Sequence, residues 1–334
     1  MISNGSWSVL TTNFLVLLYL SLGGVTLASI LHLVNAKWRE HVRILAVASF
    51  SLYPLAGVLL VILLAAGNLT FPWLNSTEHL PGWHNYPFFV AREIGAFILV
   101  GVLCLRFIKL QAISEDSEAN WQRFHLAAIV IPFVYVLYGT LVAWDFEMTM
   151  IPSWHSAIFG LYHFVSNFGM FLAFFVVLAN ALCCYGKLTT PLPDYVFNYM
   201  AQLLLAFTIL WVYTFFAQYL TIWYGNLPYE RDRIDGMELG AYAPLWWTFF
   251  LLKFLIPFVM LVFPQVRHNT NLIVMLSFSI LLGTWIERYT WIAAPYGKGH
   301  LPMTALFDIA VTVIIIGLVI AVLRRSLKSN RLTT

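Results

Sequence analysis

The sequence predicts an all-α polytopic membrane protein, a single integral-membrane domain over residues 1–334 with about nine transmembrane helices. Three observations carry this reading. Hydrophobic residues make up 61% of the chain and charged residues only 10%, far from the averages of soluble domains. Apolar runs recur that are long enough, at about 20 residues, to cross a hydrocarbon core of about 30 Å. Lysine and arginine collect on alternate connecting segments, as the positive-inside rule requires. Only helices or closed barrels satisfy backbone groups in lipid, and the short alternating strands of a barrel do not occur.

Taken in order, the spans are expected at 9–34, 42–66, 88–110, 123–145, 155–184, 196–223, 245–263, 271–293 and 303–323. The first lacks a basic n-region and a convincing cleavage site, and its apolar stretch is too long for a signal peptide. It is kept as a span. Pro54 predicts a kink in the second. The third opens on Pro87 and carries Arg92 and Glu93 about one turn inside the membrane, where a charge needs a carboxylate partner, Glu93 or a neighbour. A snorkelling arginine is the plainer alternative. The fourth runs into Asp145 and Glu147 and breaks at Pro152. The fifth is expected to start at Trp154-His155-Ser156, so that His155 and His163, eight residues apart, share a helix face. A tight turn would then bring Asp145 and His155 within bridging distance. The sixth carries Trp211, Gln218 and Tyr219 towards one end, and the seventh holds Lys253 near its middle with Pro257 a turn on. The eighth ends in Glu287-Arg288-Tyr289, and the ninth begins near Asp308.

Charge placement gives orientation. Lys37, Arg39, Arg43, Arg106, Lys109, Arg123, Lys187, Arg267, Arg324, Arg325, Lys328 and Arg331 fall on one side, and only Arg231, Arg233 and Lys298 on the other. An outside N-terminus, with Glu78 and Asp232 on that side, and a cytoplasmic C-terminus follow. The net charge of +3 is mostly this bias and gives no argument for nucleic acid. The three cysteines, Cys104, Cys183 and Cys184, form no Cys-x-x-Cys and no haem-attachment motif, so no metal, iron–sulfur centre or covalently bound cofactor is expected.

Placed by this topology, Arg92, Glu93, Asp145, Glu147, His155, His163, Glu287, Arg288 and Asp308 all map to the outer half of the membrane. Carboxylates and histidines beside aromatics suit a site that takes protons from a lipid-soluble donor: His155 or His163 accepts, and Asp145, Glu147 or Glu93 releases. The plainer alternative is a set of ion pairs tying helix ends together.

The chain resembles the NrfD/PsrC-like family of quinone-interacting membrane subunits, and within it the ActF-type subunits of bacterial alternative complex III. The resemblance rests on Asn85-Tyr-Pro-Phe-Phe-Val-Ala-Arg92, on Asp145 with Pro152-Ser-Trp-His-Ser-Ala-Ile-Phe-Gly-Leu-Tyr162, and on Phe216-Ala-Gln-Tyr-Leu-Thr-Ile-Trp-Tyr-Gly-Asn-Leu-Pro228, with weaker echoes at Lys253-Phe-Leu-Ile-Pro257 and Asp308. The nine runs stand against the ten helices usual for that type. The resemblance implies two four-helix bundles plus a peripheral helix, and quinol or quinone at this or a sister subunit. It implies as partners an iron–sulfur protein, cytochrome c subunits, a second NrfD-like chain and a terminal oxidase. The bacterial inner membrane is the implied location, with the N-terminus periplasmic. Candidate residues are His155, Asp145, Glu147 and His163 for proton transfer, with Arg92, Glu93, Tyr162, Gln218, Lys253, Glu287, Arg288 and Asp308 along the quinol site or proton path. Two alternatives stay open: an anchor of PsrC type for a molybdenum oxidoreductase, and a secondary transporter.

Overall fold

The computed structural model describes residues 3–75, 80–184, 188, 192–226, 228–296 and 299–329. Glu78, Lys187, Lys298 and Arg331, used above for orientation, lie outside them. The helices are α1 (Asn4–Leu33), α2 (Arg39–Ala65), α3 (Tyr86–Ala112), α4 (Glu118–Phe146), α5 (Phe159–Cys184), α6 (Asp194–Gly225), α7 (Pro228–Glu238), α8 (Ala243–Val262), α9 (Thr270–Ala293) and α10 (Leu306–Ser329). All but α7 are long and apolar enough to cross a membrane, which makes nine such helices among the described residues. The chain is an all-α, multi-pass membrane protein. Its two ends are called here the aromatic face, which carries the start of α1, and the basic face, which carries the end of α10.

Helix starts are written locally. Ser3, Asn85, Ser117 and Asn269 each accept a hydrogen bond from the backbone N–H three residues on, at 3.1–3.3 Å, satisfying a donor that the first turn leaves open. α10 runs past its expected end at 323 to Ser329. Hydropathy stops at Arg324, but a helix C-terminus favours cations and continues through them.

Two spans depart from a regular helix where proline removes a donor. In α2, Ser49–Leu52 tightens into a 3-10 turn just before Pro54, so that the Phe50 carbonyl, which Pro54 cannot serve, accepts from the Tyr53 N–H instead. In α8, Leu251–Leu255 widens into a π turn closed by Ile256 N–H to the Leu251 carbonyl, two residues before Pro257.

The helices pack as two bundles. α1–α4 form the first, α5, α6, α8 and α9 the second, and α10 lies at the periphery against α1 and α2. The expected peripheral helix is thus the last span. α1, the run that resembled a signal peptide, is buried on nearly every side and touches α2, α4, α5, α9 and α10. It can be so enclosed because Gly23 and Gly24 lack side chains. A Cβ at Gly24 would stand 1.9 Å from the Ala46 carbonyl oxygen, and one at Gly23 would stand 2.2 Å from the Phe171 ring. By contrast α3 turns Ile94, Ile98, Leu99, Val102 and Leu105 outward, a face suited to lipid.

The start of α5 corrects an expectation. The helix begins at Phe159, and residues 147–158 are a bent connection containing the 3-10 turn Met148–Met150. Pro152 cannot continue a helix, and burial of Trp154 beside Trp291, with ring centroids 5.5 Å apart, holds the chain away from helical geometry. His155 is therefore not on a helix and does not share a face with His163.

A Gly24→Ala variant should lose about 1–3 kcal/mol, the usual cost of overpacking a filled site. Unfolding in detergent would show this as a lowered midpoint, and an unchanged midpoint would mean that α1 and α2 separate easily.

Candidate functional site

A stripe of three residues on α9, spaced four apart, builds the centre of the site. Ser279, Gly283 and Glu287 follow at helical spacing and face the π turn of α8. The Ser279 hydroxyl donates to the Leu252 carbonyl at 2.6 Å, where the widened turn exposes it. A Cβ on Gly283 would lie 2.9 Å from the Lys253 backbone nitrogen, so only glycine admits α8 this closely. One turn further, Glu287 meets the Lys253 ammonium. On α5, Tyr162 and Ser166, also four apart, face the same carboxylate. Glu287 accepts from the Tyr162 hydroxyl, from Ser166 at 2.7 Å and from Trp211 Nε1 at 2.8 Å, with the Arg288 guanidinium at 3.2 Å. Lys253 also donates to Ser166 at 2.5 Å.

The chain of charges continues across the molecule. Arg288 Nη1 donates to both Glu147 oxygens at 2.8 and 2.7 Å. His163 Nε2 lies 3.3 Å from Glu147, and its Nδ1 lies 3.1 Å from the Tyr19 hydroxyl on α1. A carboxylate only accepts, so Nε2 carries a proton. In the neutral ring Nδ1 therefore accepts from Tyr19. Lys253, Glu287, Arg288, Glu147, His163 and Tyr19 are all buried, the most exposed at 4%. Lysine, arginine and the two carboxylates cancel in formal charge, which leaves His163 as the member whose protonation changes the total.

Arg233 of α7 closes this network from outside. Its Nη2 donates to the Glu147 carbonyl at 2.6 Å and the Trp291 carbonyl at 3.3 Å, and its Nη1 donates to the Met148 carbonyl at 3.3 Å. The guanidinium lies 4.4 Å from the centre of the Trp154 ring and 5.0 Å from that of Trp291. Burial pushes its pKa down to about 9, with Glu147 opposing the shift. It remains a cation at pH 7.

A second cluster sits in the first bundle. Arg92 makes a forked pair with Asp145 at 2.7 and 2.6 Å, and Trp83 Nε1 donates to the same carboxylate at 2.9 Å. The guanidinium also lies 3.9 Å from the centre of the Trp83 ring. Glu93, the next residue on α3, is fully buried, and neither of its oxygens has a partner among the described residues. Beside this pair, on the aromatic face, opens a cavity of about 260 Å³ lined by Trp83, His84, Trp144, Met148, Trp154 and His155. Neither ring nitrogen of His84 has a partner among the described residues. Burial first, and then Arg92, lower its pKa from the ordinary 6.5, while Asp145 opposes them. His84 is neutral at pH 7 and free to accept a proton.

The structure brings most of the expected residues together, in two clusters rather than one. Glu147, Tyr162, His163, Lys253, Glu287 and Arg288 form the charge network, and Arg92 and Asp145 form the second cluster with Glu93 beside them. His155 is exposed and lines the cavity, but makes no hydrogen bond or ion pair to Asp145 among the described residues. The expected bridge is replaced by Arg92, whose forked geometry a carboxylate favours. Gln218 accepts from Ser156 and stands apart from both clusters. Asp308 belongs to a third group, 3.5 Å from His300 Nε2, whose Nδ1 is 2.8 Å from the Tyr289 hydroxyl. Sequence reasoning missed Tyr19, Ser166, Trp211, Arg233 and His84 as members. Ser166 was findable four residues after Tyr162, whereas Tyr19 stands alone in a charge-free helix and gave no signal.

No protein-family model and no curated protein matches the chain. Fold and site define its class: a multi-pass α-helical membrane protein whose bundles are joined by buried ion pairs.

Glu287→Leu should cost about 3–5 kcal/mol, because it leaves Lys253 buried without its counter-charge. Adding Lys253→Met should recover part of that loss. A double variant no more stable than Glu287→Leu in detergent unfolding would show that the pair is uncoupled.

Proposed function

We propose that this chain is the membrane subunit of a quinol:periplasmic-acceptor oxidoreductase of the ActF type in the NrfD/PsrC-like family, and that it supports quinol oxidation and proton release. The observation that carries the reading is the aromatic cavity beside the Arg92–Asp145 pair, with the ring of His84, unpartnered among the described residues, and that of His155 on its wall. A quinol ring enters between Trp83, Trp144 and Trp154. Its oxidation to quinone releases two protons and two electrons. His84 or His155 accepts the protons at an unprotonated ring nitrogen, and the outer water takes them up. Arg92 and Trp83 fix the Asp145 carboxylate beside the cavity, where it stabilises a transiently charged histidine. The electrons pass to an iron–sulfur partner and then to cytochrome c subunits, since this chain offers no ligand motif for either centre. A sister NrfD-like chain and a terminal oxidase complete the assembly in the bacterial inner membrane. The aromatic face is periplasmic and the basic face cytoplasmic, as the lysine and arginine bias argues.

A secondary transporter is the competing reading, favoured by the Lys253–Glu287 pair at an interrupted helix, a feature that transporters place at the midplane. Uptake by vesicles containing this chain alone would favour that reading over a complex-bound subunit.

Two measurements test the proposal. Asp232→Cys should label with an impermeant reagent from the periplasm, and Arg267→Cys only after permeabilisation. The reverse pattern would put the cavity on the wrong side. In the assembled complex, His84→Gln should lower quinol turnover about 10²-fold or more, the low end of acid–base contributions. Because the folded pKa of His84 lies below 6.5, wild-type turnover should be flat above that pH and fall as the ring protonates below it. The variant should lose that acidic limb. Wild-type turnover and an unchanged profile in His84→Gln would remove the histidine from the reaction.

A further inference from the structure

At the basic face, far from both clusters, α2, α3 and the last turns of α10 enclose a cavity of about 540 Å³, a volume typical of small-molecule sites. Ile44, Val47 and Ile108 form its walls, and Phe50 and Ser51, from the 3-10 turn of α2, form its base. Arg43, Glu115 and Asp116 stand at its rim. The site is therefore an apolar shaft with a charged mouth at the basic face, beside the ends of three spans.

Its unused hydrogen-bonding groups specify an occupant. Arg43 pairs with Glu40 at 2.9 Å and with Glu115 at 2.7 Å, in both cases through Nη2. Nε and Nη1 make no hydrogen bond among the described residues and can take an anion. Gln111 is 8% exposed, and its Oε1 is buried without a partner, an arrangement that a ligand donor would relieve. Glu115 and Asp116 add acceptors beside it. The mouth thus offers donors for one anionic group and several acceptors for a group that carries N–H.

We infer that this cavity is a binding site for a phospholipid with a primary-amine headgroup, phosphatidylethanolamine. Its phosphate meets Arg43, and its ammonium donates to Gln111 Oε1, Glu115 and Asp116. One acyl chain descends between Ile44, Val47 and Ile108 towards Phe50. Phosphatidylcholine carries the same charges but no N–H, so it leaves Gln111 unsatisfied. Phosphatidylglycerol brings no cation to the carboxylates. A quinol brings donors but no anion, and leaves Arg43 unused.

The test is lipid exchange on the full chain, purified in mild detergent and stripped of lipid. Bound lipid is read by native mass spectrometry in mixtures of phosphatidylethanolamine, phosphatidylcholine and phosphatidylglycerol. Phosphatidylethanolamine should be retained about tenfold or more over phosphatidylcholine, the scale of a hydrogen bond to a charged group. Gln111→Leu and the rim variant Glu115→Gln/Asp116→Asn should each bring its retention down towards that of phosphatidylcholine. Arg43→Gln should weaken both lipids alike. The rim residues are exposed, so their variant keeps the test valid should Gln111→Leu fold poorly. Equal or better retention of phosphatidylcholine or phosphatidylglycerol would overturn the assignment. So would an unchanged preference in the rim variant, a quinol retained in place of lipid, or an equal loss in Arg106→Gln, which lies outside the cavity.

Discussion

The pairing of Lys253 with Glu287, and of Arg288 with Glu147, is the constraint on which the second bundle depends. An ionised group within a membrane protein costs several kcal/mol unless opposite charge and hydrogen bonds surround it. Glu287 has both in full, with four donors from three other helices and a guanidinium alongside. Several local irregularities follow from that requirement. Gly283 admits the backbone of α8, and Ser279 caps the carbonyl exposed by the π turn. The turn itself places Lys253 where a regular helix followed by Pro257 would not. A larger residue at 283 would separate the helices and strand both charges.

The same network joins the two bundles. Glu147 follows the end of α4 in the first bundle, whereas Arg288 and His163 belong to the second, and Tyr19 reaches in from α1. Arg233 clamps the Glu147 and Met148 carbonyls after α4 to the end of α9. Rigid-body motion between the bundles would therefore break buried ion pairs. Such pairs are expensive to separate in a low dielectric. They argue for a fixed scaffold here.

Much of the fold was legible in the sequence because lipid leaves few choices: an apolar run of sufficient length must be a helix. Six of the nine span starts fell within three residues, whereas α1 and α4 began five residues earlier than expected, because the polar first turns that Ser3 and Ser117 cap carry no hydropathy signal. At α5 the start came four residues late, where burial of Trp154 overrides local propensity and draws Trp154 and His155 out of the helix. The site was legible as a set of residues but not as a set of pairs. Proximity in sequence suggested Asp145 with His155, yet the partner of Asp145 is Arg92, 53 residues away. Spacing along one helix can place Ser279, Gly283 and Glu287 on one face. It cannot say which helix comes opposite, so Tyr19 and Arg233, single polar residues on other elements, stayed hidden.

Hydrogen-bond satisfaction separates the polar groups by what they are free to do. Both oxygens of Glu287 are engaged by protein donors, and a further ligand there would have to displace one of them. Arg92 and Asp145 satisfy each other in the same way. Among the described residues the groups without a hydrogen-bond partner include both nitrogens of His84 at the cavity on the aromatic face, both oxygens of Glu93, Gln111 Oε1 at the opposite face and, within the network, Nε and Nη2 of Arg288 and Nε of Arg233. Buried polar atoms without partners are rare in folded proteins, because each forfeits about 1–3 kcal/mol. That cost persists where a group must stay available for a ligand or a proton. By this reasoning the paired charged residues hold the helices together, and the less conspicuous His84 and Gln111 are among the groups left open to bind.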